Sequence, residues 1–102
     1  MFRLTYSLVV HCALYAAARL GVADVLAGGP RSSGEIAAAV GSGPDATYRL
    51  LRALASEGVL TESEGGRFGL TPLGETLRRD VPGSMRGWVC FSGSPAYMAA
   101  FA

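Results

Sequence analysis

Apolar side chains recur with a helical period most clearly between residues 45 and 58. The positions on this face lie three or four residues apart and are Tyr48, Leu50, Leu51, Leu54 and Ala55. Pro44 is not expected inside a helix, and the Asp45 carboxylate behind it can accept hydrogen bonds from first-turn amides, so Asp45 is the predicted N-cap. Gly58 stands where a residue in the left-handed region usually follows a helix. The pattern predicts an amphipathic helix, and we interpret the rest of the chain as packing around it.

The segment from Tyr6 to Leu20 also has a helical pattern, but it is apolar around most of its circumference. Such a helix is unusual on the surface of a small domain, so the pattern predicts burial on two sides. A second copy of the chain could supply the second side. Gly21 is the predicted end of this helix. Residues 22–27 are predicted to form a short second helix, with Val22, Val25 and Leu26 facing inward.

A helix-turn-helix pattern follows. Ser32 and Glu35 have the spacing of a capping box before a short helix at residues 35–40. A turn at 41–44 leads from it into the amphipathic helix. The apolar period then shortens, and residues 59–62 and 67–70 predict a β-hairpin around a polar turn. The predicted fold is therefore mainly α, of the winged-helix type, with a small β-hairpin wing and extra N- and C-terminal helices.

The C-terminal third is predicted to be helical. Thr71 and Pro72 open one helix as N-cap and first residue. Leu73 and Leu77 are its predicted inward positions. Arg78 and Arg79 lie near its end, where positive charge suits the helix dipole. Ser84 is the predicted cap of a further helix, whose apolar positions are Met85, Trp88, Val89 and Phe91. An apolar segment from Tyr97 to Ala102 has no polar cap behind it, which suggests a fragment boundary at residue 102.

Composition narrows the class of protein. The chain has 102 residues, enough for one small domain, and half of them are hydrophobic, which excludes a disordered segment. A net charge of +1 indicates neither a nucleic-acid nor a membrane partner. Cys12 and Cys90 lack metal-ligand spacing and are interpreted as reduced, buried thiols of a cytoplasmic protein, with a disulfide between them as the alternative. Residues 3–18 vaguely resemble a signal peptide, but the apolar run is too short to span a bilayer and is interpreted as a structural helix.

No carboxylate pair, nucleophile–base pair or metal cluster has a functional spacing, so no catalytic, cofactor-binding or metal-binding residue is predicted. The glycine pairs at 28–29 and 65–66 lack the strand-to-helix context and the lysine of a phosphate loop, and are predicted turns. Arg49 and Arg52 on the second helix, with Arg67 in the wing, could contact nucleic-acid phosphates. A DNA reader of this size usually has a stronger basic excess, so a solvated or salt-bridged surface is the favoured interpretation.

The ordered set of segments resembles a known family. ALYAAARLGVADVLAGGPRSSGEIAAAVGSGPDATYRLLRALASEGVL, followed by GRFGLTPLGETLRRDVPGSMRGW, is similar to the N-terminal dimerisation domain of SAM-dependent O-methyltransferases, the group with caffeate-, flavonoid- and polyketide-tailoring enzymes. The resemblance covers nearly the whole chain. It implies a winged-helix domain that pairs with its twin instead of reading DNA, and a first helix that contributes to the rim of the partner's acceptor pocket.

Two sets of candidate residues follow from the resemblance and the helix pattern. The candidate dimer interface lies on the first helix and consists of Leu8, Val9, Cys12, Ala13 and Ala16. The candidate lining of an aromatic acceptor pocket consists of Tyr6, His11, Trp88 and Phe91. Packing inside the core or the interface is the competing interpretation for each of these four side chains.

The resemblance also implies what this chain lacks. It contains no glycine-rich strand-to-helix turn with a downstream acidic residue, so the SAM-binding Rossmann-like domain is absent and the chain is expected to be inactive alone. SAM is implied for the full-length enzyme, with a hydroxylated, aromatic small molecule as acceptor. A homodimer is expected, with neither nucleic acid nor membrane as a partner. The alternatives are a stand-alone winged-helix regulator that binds DNA or a ligand, and an interaction subunit of a separate catalytic chain.

Overall fold

The computed structural model describes the backbone of residues 2–99 and the side chains of residues 8–96 and 99. A 3₁₀ turn at Leu26–Gly28 follows the second helix. The elements, in chain order, are α1 (Phe2–Leu20), α2 (Val22–Val25), β1 (Arg31–Ser32), α3 (Ser33–Val40), α4 (Pro44–Ser56), β2 (Leu60–Glu62), β3 (Arg67–Leu70), α5 (Pro72–Glu75), α6 (Arg86–Ser92) and α7 (Pro95–Ala99). This mainly helical architecture with a small antiparallel sheet confirms the predicted winged-helix fold.

Helix α4 lies where the strongest sequence pattern predicted it, but its first residues differ from the prediction. Gly43, in an extended conformation, is the N-cap, and Pro44 is the first helical residue. Asp45 therefore stands in the first turn, where its charge still favours the helix N-terminus, and the prediction that it is the N-cap was wrong. Pro44 decides this, because its fixed φ suits the first helical position and its missing N–H costs nothing there. Gly58 has a φ of 78°, as predicted for the residue after the helix.

The capping box before α3 is confirmed. The Glu35 amide donates to Ser32 Oγ at 3.2 Å, and the Ser32 amide donates to a Glu35 carboxylate oxygen at 3.0 Å. Ser32 also belongs to strand β1, which the sequence analysis missed. β1 pairs with β3 through Ser32 and Arg67, so the predicted hairpin is part of a three-stranded antiparallel sheet in the order β1-β3-β2. Two residues are too few for an alternating pattern, which explains the omission.

Helix α5 is shorter than predicted. Thr71 caps it, accepting the Gly74 amide at 3.1 Å, but the helix ends at Glu75. Leu77 is buried beyond the helix end, whereas Leu73 is 57% exposed, so the prediction that both face inward was wrong for Leu73. With only one turn of helix, residues four apart no longer share a face. The basic pair at 78–79 likewise lies outside the helix and cannot interact with its dipole as predicted.

The buried core lies where α4 crosses the sheet, α1, α2 and α3. Its buried apolar members are Ala17, Val22, Ala23, Leu26, Ile36, Leu51, Leu54, Val59, Leu60, Phe68 and Leu77. Among the side chains that the structure describes, those of α1 that reach this core lie in its C-terminal half, and Gly21, with a φ of 78°, turns the chain from α1 into α2. Leu8 and Val9, further towards the N-terminus of α1, are exposed, which leaves a surface that another chain can cover.

Candidate functional site

One face of α1 carries apolar side chains, and several of them are exposed in the described part of the structure. We call the predicted interface residues the α1 stripe: Leu8, Val9, Cys12, Ala13 and Ala16. Leu8 and Val9 are 51% and 55% exposed, and the Cys12 thiol is exposed as well. Ala16 is half-buried, and Ala13 packs partly against the core. Exposed aliphatic side chains on one helix face are the kind of surface that a protein partner covers.

The opposite face of α1 packs against α6. His11 Nε2 lies 3.1 Å from the Ser92 carbonyl oxygen. Because a carbonyl oxygen only accepts hydrogen bonds, Nε2 carries the proton in this contact. Arg86 Nε donates to the Ala18 carbonyl oxygen at 3.1 Å. The half-buried His11 is thus engaged with a neighbouring helix, as the competing packing interpretation expected.

Two aromatic side chains of α6 are exposed near this joint. Trp88 and Phe91 are 54% and 57% exposed, with ring centroids 6.0 Å apart and ring planes tilted by 42°. Together they form an aromatic surface that we call the α6 pair. Tyr6, the other aromatic candidate, belongs to α1, but its side chain lies outside the described part of the structure. Of the four candidate pocket residues, the structure therefore brings two together on one surface and engages His11 elsewhere.

The arginines considered for phosphate binding are largely engaged within the chain. Arg52 Nε lies 3.3 Å from a Glu62 carboxylate oxygen, and another Arg52 nitrogen donates to the Tyr48 hydroxyl at 3.1 Å. The Tyr48 hydroxyl, and secondarily the charge of Glu62, raises the pKa of Arg52 above its ordinary value. Arg67 donates to the Pro30 carbonyl at 3.4 Å, and Arg49 lines an open groove with Asp45. Arg52 thus joins α4 to Glu62 of the wing, which favours the salt-bridged interpretation.

The structure also bears on the cysteines, on metal binding and on membrane-spanning helices. Both cysteines are free, and Cys12 is exposed, so the expectation of two buried thiols was wrong for Cys12. Within residues 2–99, no group of three or more His, Cys, Asp or Glu side chains is placed to hold a metal ion. In the same part of the chain, no single helix is long and apolar enough to cross a membrane, although the bent pair at 8–20 and 22–28 meets that test by length and composition.

The residue pattern alone did not identify Arg86 as a contact between helices. A basic residue in the first turn of a helix is disfavoured by the helix dipole, and this was the available signal that Arg86 has another role. A second missed feature is an apolar cavity of about 190 Å³ beside α1 and α6. Leu14, Leu77 and Val89 line it, with Leu73 and Met85 among the residues at its wall. These residues lie far apart in the sequence, so no local pattern could group them.

Comparison with known proteins agrees with this architecture. The sequence model of the family described as the O-methyltransferase dimerisation domain matches residues 2–80. The chain is 42% identical to 8-amino-8-demethylriboflavin N,N-dimethyltransferase of Streptomyces davaonensis over 99% of its own length and 29% of the relative's. It is 45% identical to the phenazine O-methyltransferase PhzM of Lysobacter antibioticus over 84% of its own length and 25% of the relative's. The chain therefore spans less than a third of the length of these relatives.

Solved structures give the same result. The crystal structure of the dimethyltransferase RosA from Streptomyces davawensis matches with a TM-score of 0.92 at 42% identity, over 98% of this chain and 30% of that one. The O-methyltransferase NcsB1 from neocarzinostatin biosynthesis, in complex with S-adenosyl-L-homocysteine and 1,4-dihydroxy-2-naphthoic acid, matches with a TM-score of 0.73 at 43% identity, over 78% of this chain and 24% of that one. The family model and the folded relatives agree: this chain belongs to the O-methyltransferase dimerisation-domain family.

Proposed function

We propose that this chain is the self-association unit of a SAM-dependent methyltransferase that modifies an aromatic small molecule. The observation that carries the proposal is the α1 stripe, an exposed apolar helix face in a domain whose family is defined by dimerisation. Two copies related by a two-fold axis would bring the same face of α1 together, so that each stripe covers the other. Leu8 and Val9 are already about half-buried, so their complete burial would contribute roughly half of the 1.5–3 kcal/mol of a fully exposed side chain, about 0.8–1.5 kcal/mol each.

The α6 pair supports an aromatic acceptor. Two exposed rings tilted against each other offer π-faces to a planar molecule, because aromatic groups favour tilted or offset contacts. Tyr6 is the further candidate for the same pocket. The NcsB1 complex contains a hydroxylated naphthoic acid, and the relative PhzM is named for a phenazine, which makes fused aromatic ring systems the proposed acceptor class.

The transferred methyl group is proposed to come from SAM bound by a Rossmann-like domain in a longer protein. The relatives are three to four times longer than the aligned region, and the NcsB1 complex contains S-adenosyl-L-homocysteine. The proposed acceptor atom is oxygen or nitrogen, since one relative is named an N,N-dimethyltransferase and another an O-methyltransferase. The free thiols support a cytoplasmic location for this protein.

The intact mass of the native protein tests the catalytic part of the proposal. We expect a chain heavier by a domain of roughly 200 residues, a usual domain size. The purified native protein is also expected to transfer a labelled methyl group from SAM to 1,4-dihydroxy-2-naphthoic acid or to a hydroxyphenazine. A native mass of 102 residues would refute the fused catalytic domain. If added cell extract then failed to restore methyl transfer, a separate catalytic partner would be refuted as well.

A further inference from the structure

Helices α1 and α6 each cap the C-terminal end of the other. The last four carbonyls of a helix have no amide donor within that helix. Arg86, the first residue of α6, donates to Ala18 near the end of α1, and His11 of α1 donates to Ser92, the last residue of α6. The contacts join residue 18 to 86 and residue 11 to 92, so the two helices run antiparallel.

The spacing of these two contacts fixes one axial register. Seven residues separate His11 from Ala18, and six separate Arg86 from Ser92. At about 1.5 Å per residue these spans are about 10 Å and about 9 Å, so both hydrogen bonds form together without bending either helix. A slip of one helical turn, about 5.4 Å, would break both of them.

A close contact at the end of α6 reinforces this register. A Cβ atom on Gly93 would lie 2.5 Å from the Tyr15 side chain. The φ of Gly93 is −92°, which any residue adopts, so the glycine is required by the approach of Tyr15 and not by the backbone. Tyr15 stands one turn after His11 on α1. The end of α6 is therefore seated against the same face of α1 from which His11 donates.

We propose that His11 and Arg86 are positioning residues that set the register of α6 on α1 and thereby hold the α6 pair beside the acceptor. This inference rests on the proposed function and adds to it a role for two residues away from the α6 pair. The side chains of Trp88 and Phe91 are both more than half exposed on α6. A shift of α6 along α1 therefore moves both rings together relative to the α1 stripe. Ser92, whose carbonyl accepts from His11, is buried, so water cannot readily replace the lost donor.

The test uses the indole N–H of Trp88 as a reporter, because the chain has a single tryptophan. A long-range ¹H–¹⁵N spectrum of the wild-type chain is expected to show His11 protonated at Nε2. H11L removes the donor, and we expect the Trp88 indole and Gly93 amide resonances to shift by more than a linewidth. H11Q, whose side-chain amide can donate from a similar position, should return both resonances towards their wild-type values. R86L should shift the Trp88 resonance from the other end of the helix.

Ile36→Val is the matched control, since it removes one methylene from the buried core on α3, which takes part in neither of the two hydrogen bonds between α1 and α6. The proposal is overturned if I36V moves the Trp88 resonance as far as H11L does, if H11Q fails to restore it, or if His11 carries its proton on Nδ1. If H11L does not fold, the shift of the Trp88 resonance in R86L is compared with that in I36V, and an equal shift in the two overturns the proposal. These resonances report the register in a monomer and in a dimer alike. Failure of self-association would therefore count against the proposed function and not against this inference.

Discussion

Two threonines show how much the environment of a single hydroxyl matters in this small fold. Thr71 Oγ1 lies within 2.6 Å of the Gly58 carbonyl and 2.9 Å of the Val59 carbonyl, and it accepts the Gly74 amide. Thr47 lies inside α4 and faces the core, but its buried hydroxyl has no hydrogen-bond partner among the residues that the structure describes. The Thr71 hydroxyl thus links the residues before the wing to α5. The Thr47 hydroxyl is buried without a hydrogen bond to offset the cost of removing it from water.

Thr47→Val is therefore expected to be neutral or to stabilise the fold by about 1 kcal/mol, because it replaces an unpaired buried hydroxyl by a methyl group of the same shape. Thr71→Val should lose about 1–2 kcal/mol, since it removes a helix cap and leaves the Gly74 amide without its acceptor. Urea denaturation of both variants at one pH measures the difference. A destabilised T47V variant would show that the Thr47 hydroxyl has a partner after all.

Gly74 and Gly87 form a second matched pair. A Cβ on Gly74 would overlap the carbonyl oxygen of Val59, whereas a Cβ on Gly87 meets nothing within 4 Å. Gly74→Ala is expected to cost about 1–3 kcal/mol through this clash. Gly87→Ala should gain about 0.5–1 kcal/mol, because alanine loses less backbone freedom in a helix. Thermal melts of the two variants should move in opposite directions; equal melting temperatures would contradict the close packing of α5 on Val59.

At the scale of the element, α3 depends on one carboxylate. The Ser32 backbone amide, which donates to the Glu35 carboxylate, and then the Ser32 hydroxyl lower the pKa of Glu35 below its ordinary value. A lowered pKa in the folded state means that the ionised form contributes stability above the unfolded pKa. That contribution is lost as the pH falls through the folded pKa.

Glu35→Gln should remove this part of the acid sensitivity while keeping a capping-box residue. We expect the melting temperatures of the wild type and E35Q to converge as the pH is lowered below the usual range of glutamate, with the wild type more stable near neutrality. Melting curves at several pH values measure this. A difference that stays constant with pH would mean that the charge of Glu35 contributes nothing to α3.

Elements with a strong local pattern were predictable from the sequence, and those set by distant contacts were not. The periodicity of α4, the Ser32–Glu35 capping box and the polar turn of the wing each depend on residues a few positions apart. Strand β1 depends on pairing with β3, more than 30 residues away. The N-cap of α4 was misplaced by two residues, at Asp45 instead of Gly43, because Pro44 and Asp45 both favour a helix start and only the structure shows which position each occupies.

The candidate site shows the same division. The sequence pattern showed that α1 is apolar around more of its circumference than one buried face needs. It also placed Trp88 and Phe91 on one helix. It could not show that His11 faces α6, because the partner carbonyl lies 81 residues further along the chain. It could not group Arg86 with Ala18 for the same reason.

At the scale of the whole molecule, we expect a second chain to cover the α1 stripe. Val9→Glu places a charge in that stripe at an exposed position, so it should weaken self-association without unfolding the monomer. Ala38→Glu adds the same charge at an exposed position of α3 and is the control. Sedimentation velocity should show a dissociation constant raised at least tenfold for V9E and unchanged for A38E. Equal weakening by both variants would mean that added charge, and not the stripe, decides association.

The most direct measurement is the solution mass of the chain by size-exclusion chromatography with light scattering at tens of micromolar. We expect twice the chain mass of 10.6 kDa. V9E should elute later, with the mass of one chain. A wild-type chain that is folded and keeps the mass of a single copy at this concentration would contradict the claim that the α1 stripe is a self-association surface.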